Sequence, residues 1–153
     1  MADPKYIFVG PKACGKTSLI LALLGQYEPE KRIVPTQGLT GYGPYIDLPG
    51  DYCDNRCYSI LSVCSQQAQF IVLTIGADQR SMPLPDGFTQ LFIRPVIGVI
   101  TKIDLNADHG EAELWHRRMG VKGPVFCVSA HTGEGIATLR DFLKNESTKK
   151  EKK

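Results

Sequence analysis

Apolar residues fall into short unbroken runs separated by stretches of helical periodicity, and this alternation predicts the order of elements along the chain. The runs KYIFVG (5–10), AQFIVLTIGAD (68–78), PVIGVITKID (95–104) and PVFCVSA (124–130) are apolar on both faces, the pattern of buried strands. YGPYIDLPG (42–50) reads as a further, shorter strand closing in a Pro-Gly turn. KTSLILALLG (16–25) is rich in helix formers, with Gly25 placed to stop them. RCYSILSVCSQQ (56–67) puts Cys57, Ile60, Leu61 and Cys64 on one helical face. HGEAELWHRRMG (109–120) is a helix, and GIATLRDFLKN (135–145) closes the domain. Doubly buried strands alternating with helices predict an α/β fold of three layers with a mostly parallel central sheet. One domain is expected over 1–145. The tail ESTKKEKK (146–153) has nothing to bury and is expected to be disordered.

Composition narrows the class. A chain of 153 residues suits one domain with a single proper core. The net charge of +2 gives no electrostatic case for nucleic acid. No apolar run approaches the ~20 residues that span a bilayer, and MADPK lacks the pattern of a secretory signal. Five cysteines without a CxxC spacing suit a reducing compartment, so a cytoplasmic location is expected.

The strongest chemical signal is GPKACGKTS (10–18), which fits G-x-x-x-x-G-K-[ST] directly after a strand and at the start of a helix. Gly10, Pro11, Lys12, Ala13, Cys14 and Gly15 would form a loop whose backbone N–H groups converge on phosphate oxygens. Lys16 would reach the β- and γ-phosphates, the Thr17 hydroxyl would sit on Mg²⁺, and Ser18 continues the helix start with its partial positive charge. DLPG (47–50) ends the next strand. Asp47 is then the carboxylate that holds Mg²⁺, and the Gly50 amide faces the γ-phosphate, so loss of that phosphate frees the loop behind it. Read alone, DLPG is a plain β-turn; the phosphate loop ahead of it favours the metal reading.

TKID (101–104) ends a central strand at the carboxyl edge of the sheet, where such folds bind ligands. Asp104 can accept from guanine N1–H and its exocyclic amine, a donor pair adenine lacks. The Lys102 stem can lie along the base and brace the phosphate loop. Ser129 and Ala130 end the following strand, with the Ala130 amide placed for the guanine oxygen. The order phosphate loop, DxPG, xKxD and SA resembles that of the Ras-like GTPases. Thr101 stands where those proteins usually carry Asn, and its shorter hydroxyl is expected to brace the loop less.

Finer features resemble the EutP/PduV family of ethanolamine- and propanediol-utilisation operons, small P-loop GTPase-like proteins that accompany bacterial microcompartments. They are GPxxCGKTS, the pair Thr36–Gln37, IDLPGDYCDNRCYS (46–59), MPLPDGFTQ (82–90), RPVIGVITKIDL (94–105) and VFCVSAHTGEGI (125–136). The resemblance implies Mg-dependent binding and slow hydrolysis of a nucleoside triphosphate, GTP with ATP as the other choice. The role implied is that of a switch or positioning protein. It makes Thr36 the switch threonine that reaches Mg²⁺ and the γ-phosphate. It also puts Asp51 where Ras-like enzymes keep a water-positioning Gln. An anion there repels the γ-phosphate and orients water poorly, which implies slow unaided turnover. Lys16, Thr36 and Asp51 would thus carry the chemistry. The family also brings the alternative of an ATP-dependent acetate kinase, and a nucleotide-gated interaction module with negligible turnover is a third reading.

Other residues leave two readings each. Cys53, Cys57 and Cys64 are zinc ligands lacking a fourth partner or simply apolar packing. Cys14, beside Lys16 and a helix start, gains thiolate character or stays inert. His131 stacks near the base or is a surface histidine. Arg32 and Arg56 are solvated or ion-paired rather than arginine fingers. In 78–95, Pro83, Pro85 and Pro95 allow one helical turn at most. Met82, Leu84 and Phe88 then either present a stiff apolar loop to a microcompartment partner or fold back over the sheet.

Overall fold

The computed structural model describes residues 5–28, 30, 39–82, 84–106 and 108–151, with backbone alone at 51, 54 and 147–151. Among the described residues six strands form one sheet: β1 (Tyr6–Val9), β2 (Thr40–Tyr42), β3 (Tyr45–Asp47), β4 (Phe70–Gly76), β5 (Val96–Thr101) and β6 (Val125–Cys127). Their order is β2-β3-β1-β4-β5-β6. Only β2 runs antiparallel, against β3; the other pairings are parallel. This is the three-layer P-loop NTPase architecture of Ras-like domains.

Alternate residues of each strand feed two separate cores. Tyr6, Phe8, Val72, Ile97 and Val99 pack with α1 (Lys16–Leu23) and α5 (Ile136–Glu151) through Leu19, Ile20, Leu139 and Leu143. Ile7, Val9, Ile71, Leu73, Ile75 and Ile100 face the opposite side. There they meet Cys53 of α2 (Gly50–Asp54), Leu61 of α3 (Tyr58–Ser65), and Trp115 and Met119 of α4 (Gly110–Met119). Runs apolar on both faces are what a sheet covered on both faces requires.

Five expectations need correction. The segment 42–50 is not one strand: Gly43, at φ +62, and Pro44 turn the chain between β2 and β3. The helix expected over 56–67 is the shorter α3, and α2 precedes it; Arg56, at a left-handed φ of +56, lies in the break between the two. On α3 Leu61 and Ser65 are buried while Ile60 is exposed, so the expected face is only partly the buried one. β6 is a half-buried edge strand of three residues. Lastly, α5 continues as helix to Glu151, through most of the segment expected to be disordered. Glu and Lys are good helix formers, so a helix nucleated by the packed residues ahead of them can run on into this segment.

Among its described residues the segment 78–95 holds a single 3₁₀ turn, Phe88–Leu91, as its prolines imply. Leu84, Phe88 and Phe92 are buried and Met82 packs partly against the same core. Phe88 meets Tyr58 and Phe92 edge-on at 5.8 and 5.5 Å. These apolar residues fold back over the sheet, the second of the two readings given for them.

Candidate functional site

The phosphate loop is shaped by close approaches. A Cβ on Gly10 would lie 2.3 Å from the Thr74 carbonyl oxygen, so only glycine fits there. Ala13 at φ +64 and Gly15 at φ +89 curl the loop into α1, the kind of backbone that turns N–H groups inward. No acidic residue occupies the first turn of α1, whereas α4 carries Glu111 and Glu113 in its first turn. The positive end of α1 is therefore left for an outside anion. Lys16 is buried, and its Nζ donates to the Gly10 carbonyl at 3.2 Å, with Cys14 Sγ at 3.7 Å. Burial pushes the Cys14 thiol up despite that ammonium. Of the two readings of Cys14, this favours the inert thiol.

Thr17 Oγ1 donates to Asp47 Oδ2 at 2.5 Å, and Asp47 is fully buried at the end of β3. A hydroxyl and a carboxylate are hard oxygen donors of the kind Mg²⁺ takes alongside waters and phosphate, so the pair fits that ion. Gly50 rests on the phosphate loop: a Cβ there would come within 2.4 Å of the Lys12 Cα. The DLPG turn and the loop are thus in backbone contact. Asp51 follows on α2, its side chain outside the described residues, and Thr36, Gln37 and Arg32 lie outside them altogether.

The opposite end of the site is built by β5 and the segment after β6. Thr101 Oγ1 donates to the Cys14 carbonyl at 2.5 Å, and Lys102 Nζ donates to the Ala13 carbonyl at 2.7 Å. Thr101 therefore does brace the phosphate loop; its buried position brings even a short side chain within reach. Ser129 Oγ donates to Asp104 Oδ1 at 2.8 Å and accepts from the Thr132 amide at 3.1 Å. A cavity of about 310 Å³ lies here, lined by Gly15, Ser18, Lys102, Asp104, Ala130 and His131 among others. Loop, lysine, carboxylate and alanine thus meet in one place.

A family model described as "Ethanolamine utilisation - propanediol utilisation", PduV-EutP, matches residues 3–145. The chain belongs to the PduV-EutP family. It is 35% identical over 142 residues to the propanediol utilization protein PduV of Citrobacter freundii, covering 91% of this chain and 92% of that one. Two solved structures share the fold at 22% identity. One is the Methanosarcina barkeri Roco2 RocCORdC protein bound to GDP, with a TM-score of 0.63 over 97% of this chain. The other is a bacterial selenocysteine-specific elongation factor, with a TM-score of 0.61 over 95%. The chain spans half of the first and 28% of the second.

Two polar residues that the sequence does not flag, Tyr27 and Asp78, join the candidate site in this PduV-EutP member. Tyr27 lines the cavity because the chain turns back along α1 after Gly25, a return no local pattern encodes. Asp78, just past β4, pairs with Lys102 at 3.6 Å; its place after a buried strand ending at the same sheet edge was the available signal. His131 is exposed and lines the cavity. Cys53 is buried, and among the described residues no group of three or more His, Cys, Asp or Glu is placed to hold a metal. No described helix is long and apolar enough to cross a membrane.

Proposed function

We propose that this chain binds GTP in preference to ATP, with Mg²⁺, and hydrolyses it slowly as a small switch or positioning protein. Its setting is the cytoplasm, in association with a microcompartment of ethanolamine or propanediol metabolism. The observation that carries the reading is that Thr101 and Lys102 bond to the phosphate loop while Asp104, held by Ser129, lines the same cavity. Ser129 occupies one acceptor site of Asp104, and an ionised carboxylate has capacity left for both guanine donors. The Ala130 amide meets the guanine oxygen. Lys16 exchanges the Gly10 carbonyl for phosphate oxygens, while Thr17, Thr36 and Asp47 hold Mg²⁺. Bound Mg²⁺ supplies positive charge against the β- and γ-phosphate oxygens. Gly50, resting on Lys12, is the contact through which the presence of the γ-phosphate reaches α2. Asp51 keeps unaided turnover slow.

Displacement of a fluorescent nucleotide tests this. GTP should compete better than ATP by roughly ten- to a hundredfold, since an unmatched carboxylate at the base costs on the order of 1–3 kcal/mol. Lys16→Ala should abolish binding while the circular dichroism spectrum and melting stay those of wild type. Equal competition by ATP and GTP would overturn the guanine assignment. Acyl phosphate trapped from acetate and ATP would then make the protein a kinase.

A further inference from the structure

We propose that a groove at the amino-terminal edge of the sheet is a docking site for an acidic, apolar-anchored segment of a partner protein. The groove has a volume of about 450 Å³, larger than the nucleotide cavity. It is framed by Phe70 and Val96, the first residues of β4 and β5, and by Pro124 just before β6. The nucleotide site lies at the other ends of these strands, on the order of 20 Å away for six residues of strand. The two are separate surfaces.

The lining decides the kind of partner. Phe70, Ile97 and Phe142 form an apolar floor, with the two phenyl rings edge-on at 6.2 Å. Arg94 and Lys122 stand at the rim, both exposed, and none of the described lining residues is acidic. An occupant that satisfies both must bring an apolar side chain for the floor and carboxylates for the two cations. Arg94 is held in place, since its Nη2 donates to the Gln66 carbonyl at 3.1 Å and one bond leaves most of the guanidinium fork for a carboxylate. The connection carrying Lys122 is also fixed: Arg117 Nη1 donates to the Val121 and Gly123 carbonyls at 2.9 and 3.2 Å. Pre-ordered rims lower the entropic cost of docking. Ile93, next to Arg94, is 79% exposed and carries the apolar surface beyond the groove. That footprint suits a length of polypeptide rather than a small ligand.

Random twelve-residue peptides displayed on phage, panned against the full chain, test the proposal. Enriched peptides should carry Asp or Glu flanking an apolar or aromatic residue. Synthesised with a fluorophore, they should bind the Arg94→Glu, Lys122→Glu double variant at least tenfold more weakly than wild type by polarisation. Their amide shift perturbations should centre on Gly87, Val96, Gly120 and Gly123. Both substituted residues are exposed, so an unchanged melting temperature is expected of the variant. Failure to enrich any binder, enrichment of basic peptides, or acidic peptides that bind the variant as tightly as wild type would each overturn the site. Nucleotide displacement by the variant should equal that of wild type. Loss of the groove and loss of the nucleotide reading are therefore separate outcomes.

Discussion

At the scale of single residues, Thr101 shows how position outweighs side-chain length. It is 3% exposed, and its hydroxyl lies 3.2 Å from where a Cβ on Gly15 would sit. A longer Asn has no spare room there, so Thr101→Asn should gain nothing in nucleotide affinity. Thr101→Val keeps the shape and removes the donor to the Cys14 carbonyl. Leaving that buried carbonyl without its donor costs about 1–3 kcal/mol, so nucleotide should bind roughly tenfold more weakly, while Thr101→Ser stays near wild type. Titration of a fluorescent nucleotide into the three variants decides it, and a Val variant equal to Ser would mean the bond is dispensable. The phosphate loop itself was legible because its chemistry lies in nine consecutive residues. Tyr27 and Asp78 were not, because each reaches the site only through the path of the chain in space.

At the scale of elements, the strands were legible and the helix ends were not. β1, β4 and β5 are buried on both faces, and a run of β-branched residues records that directly. The break between α2 and α3 depends on one left-handed residue, Arg56, a residue type that gives no notice of it. The closing helix separates burial from helicity most clearly. Leu139 and Leu143 are fully buried, and Tyr6 Oη donates to the Leu143 carbonyl at 2.9 Å, tying the helix to the first strand. Lys144 and Asn145, by contrast, are exposed. Leu143→Ala should therefore cost about 2–5 kcal/mol in urea denaturation. If the packed face ends with the half-buried Glu146, a chain truncated after that residue should lose less than about 1 kcal/mol. A large loss on truncation would mean that the final turns pack against the domain.

At the scale of the whole molecule, a polar group that the sequence did not mark sits inside one of the two cores. His116 of α4 is fully buried, its ring over Gly98, where a Cβ would come within 2.5 Å of the imidazole Cδ2. Nδ1 lies 2.9 Å from the Ala112 carbonyl and Nε2 3.0 Å from the Leu73 carbonyl of β4. A neutral ring has one N–H and donates to one of the two; a charged ring would donate to both. Burial nonetheless dominates, and it lowers the pKa from the ordinary 6.5; the two carbonyls and Glu113 oppose that shift and Arg117 adds to it. The sign follows from proton counting: below pH 6.5 the unfolded chain takes up a proton that the folded chain resists. The contribution of His116 to stability is complete above 6.5 and falls as the pH drops from there toward the lower folded value. The slope is at most about 1.4 kcal/mol per pH unit. Urea denaturation at pH 5, 6, 7 and 8 should show this extra fall in wild type and not in His116→Gln, whose amide can still hydrogen-bond but does not titrate. Parallel pH profiles for the two proteins would mean that the imidazole charges as readily in the core as in water, and that α4 opens enough to admit solvent.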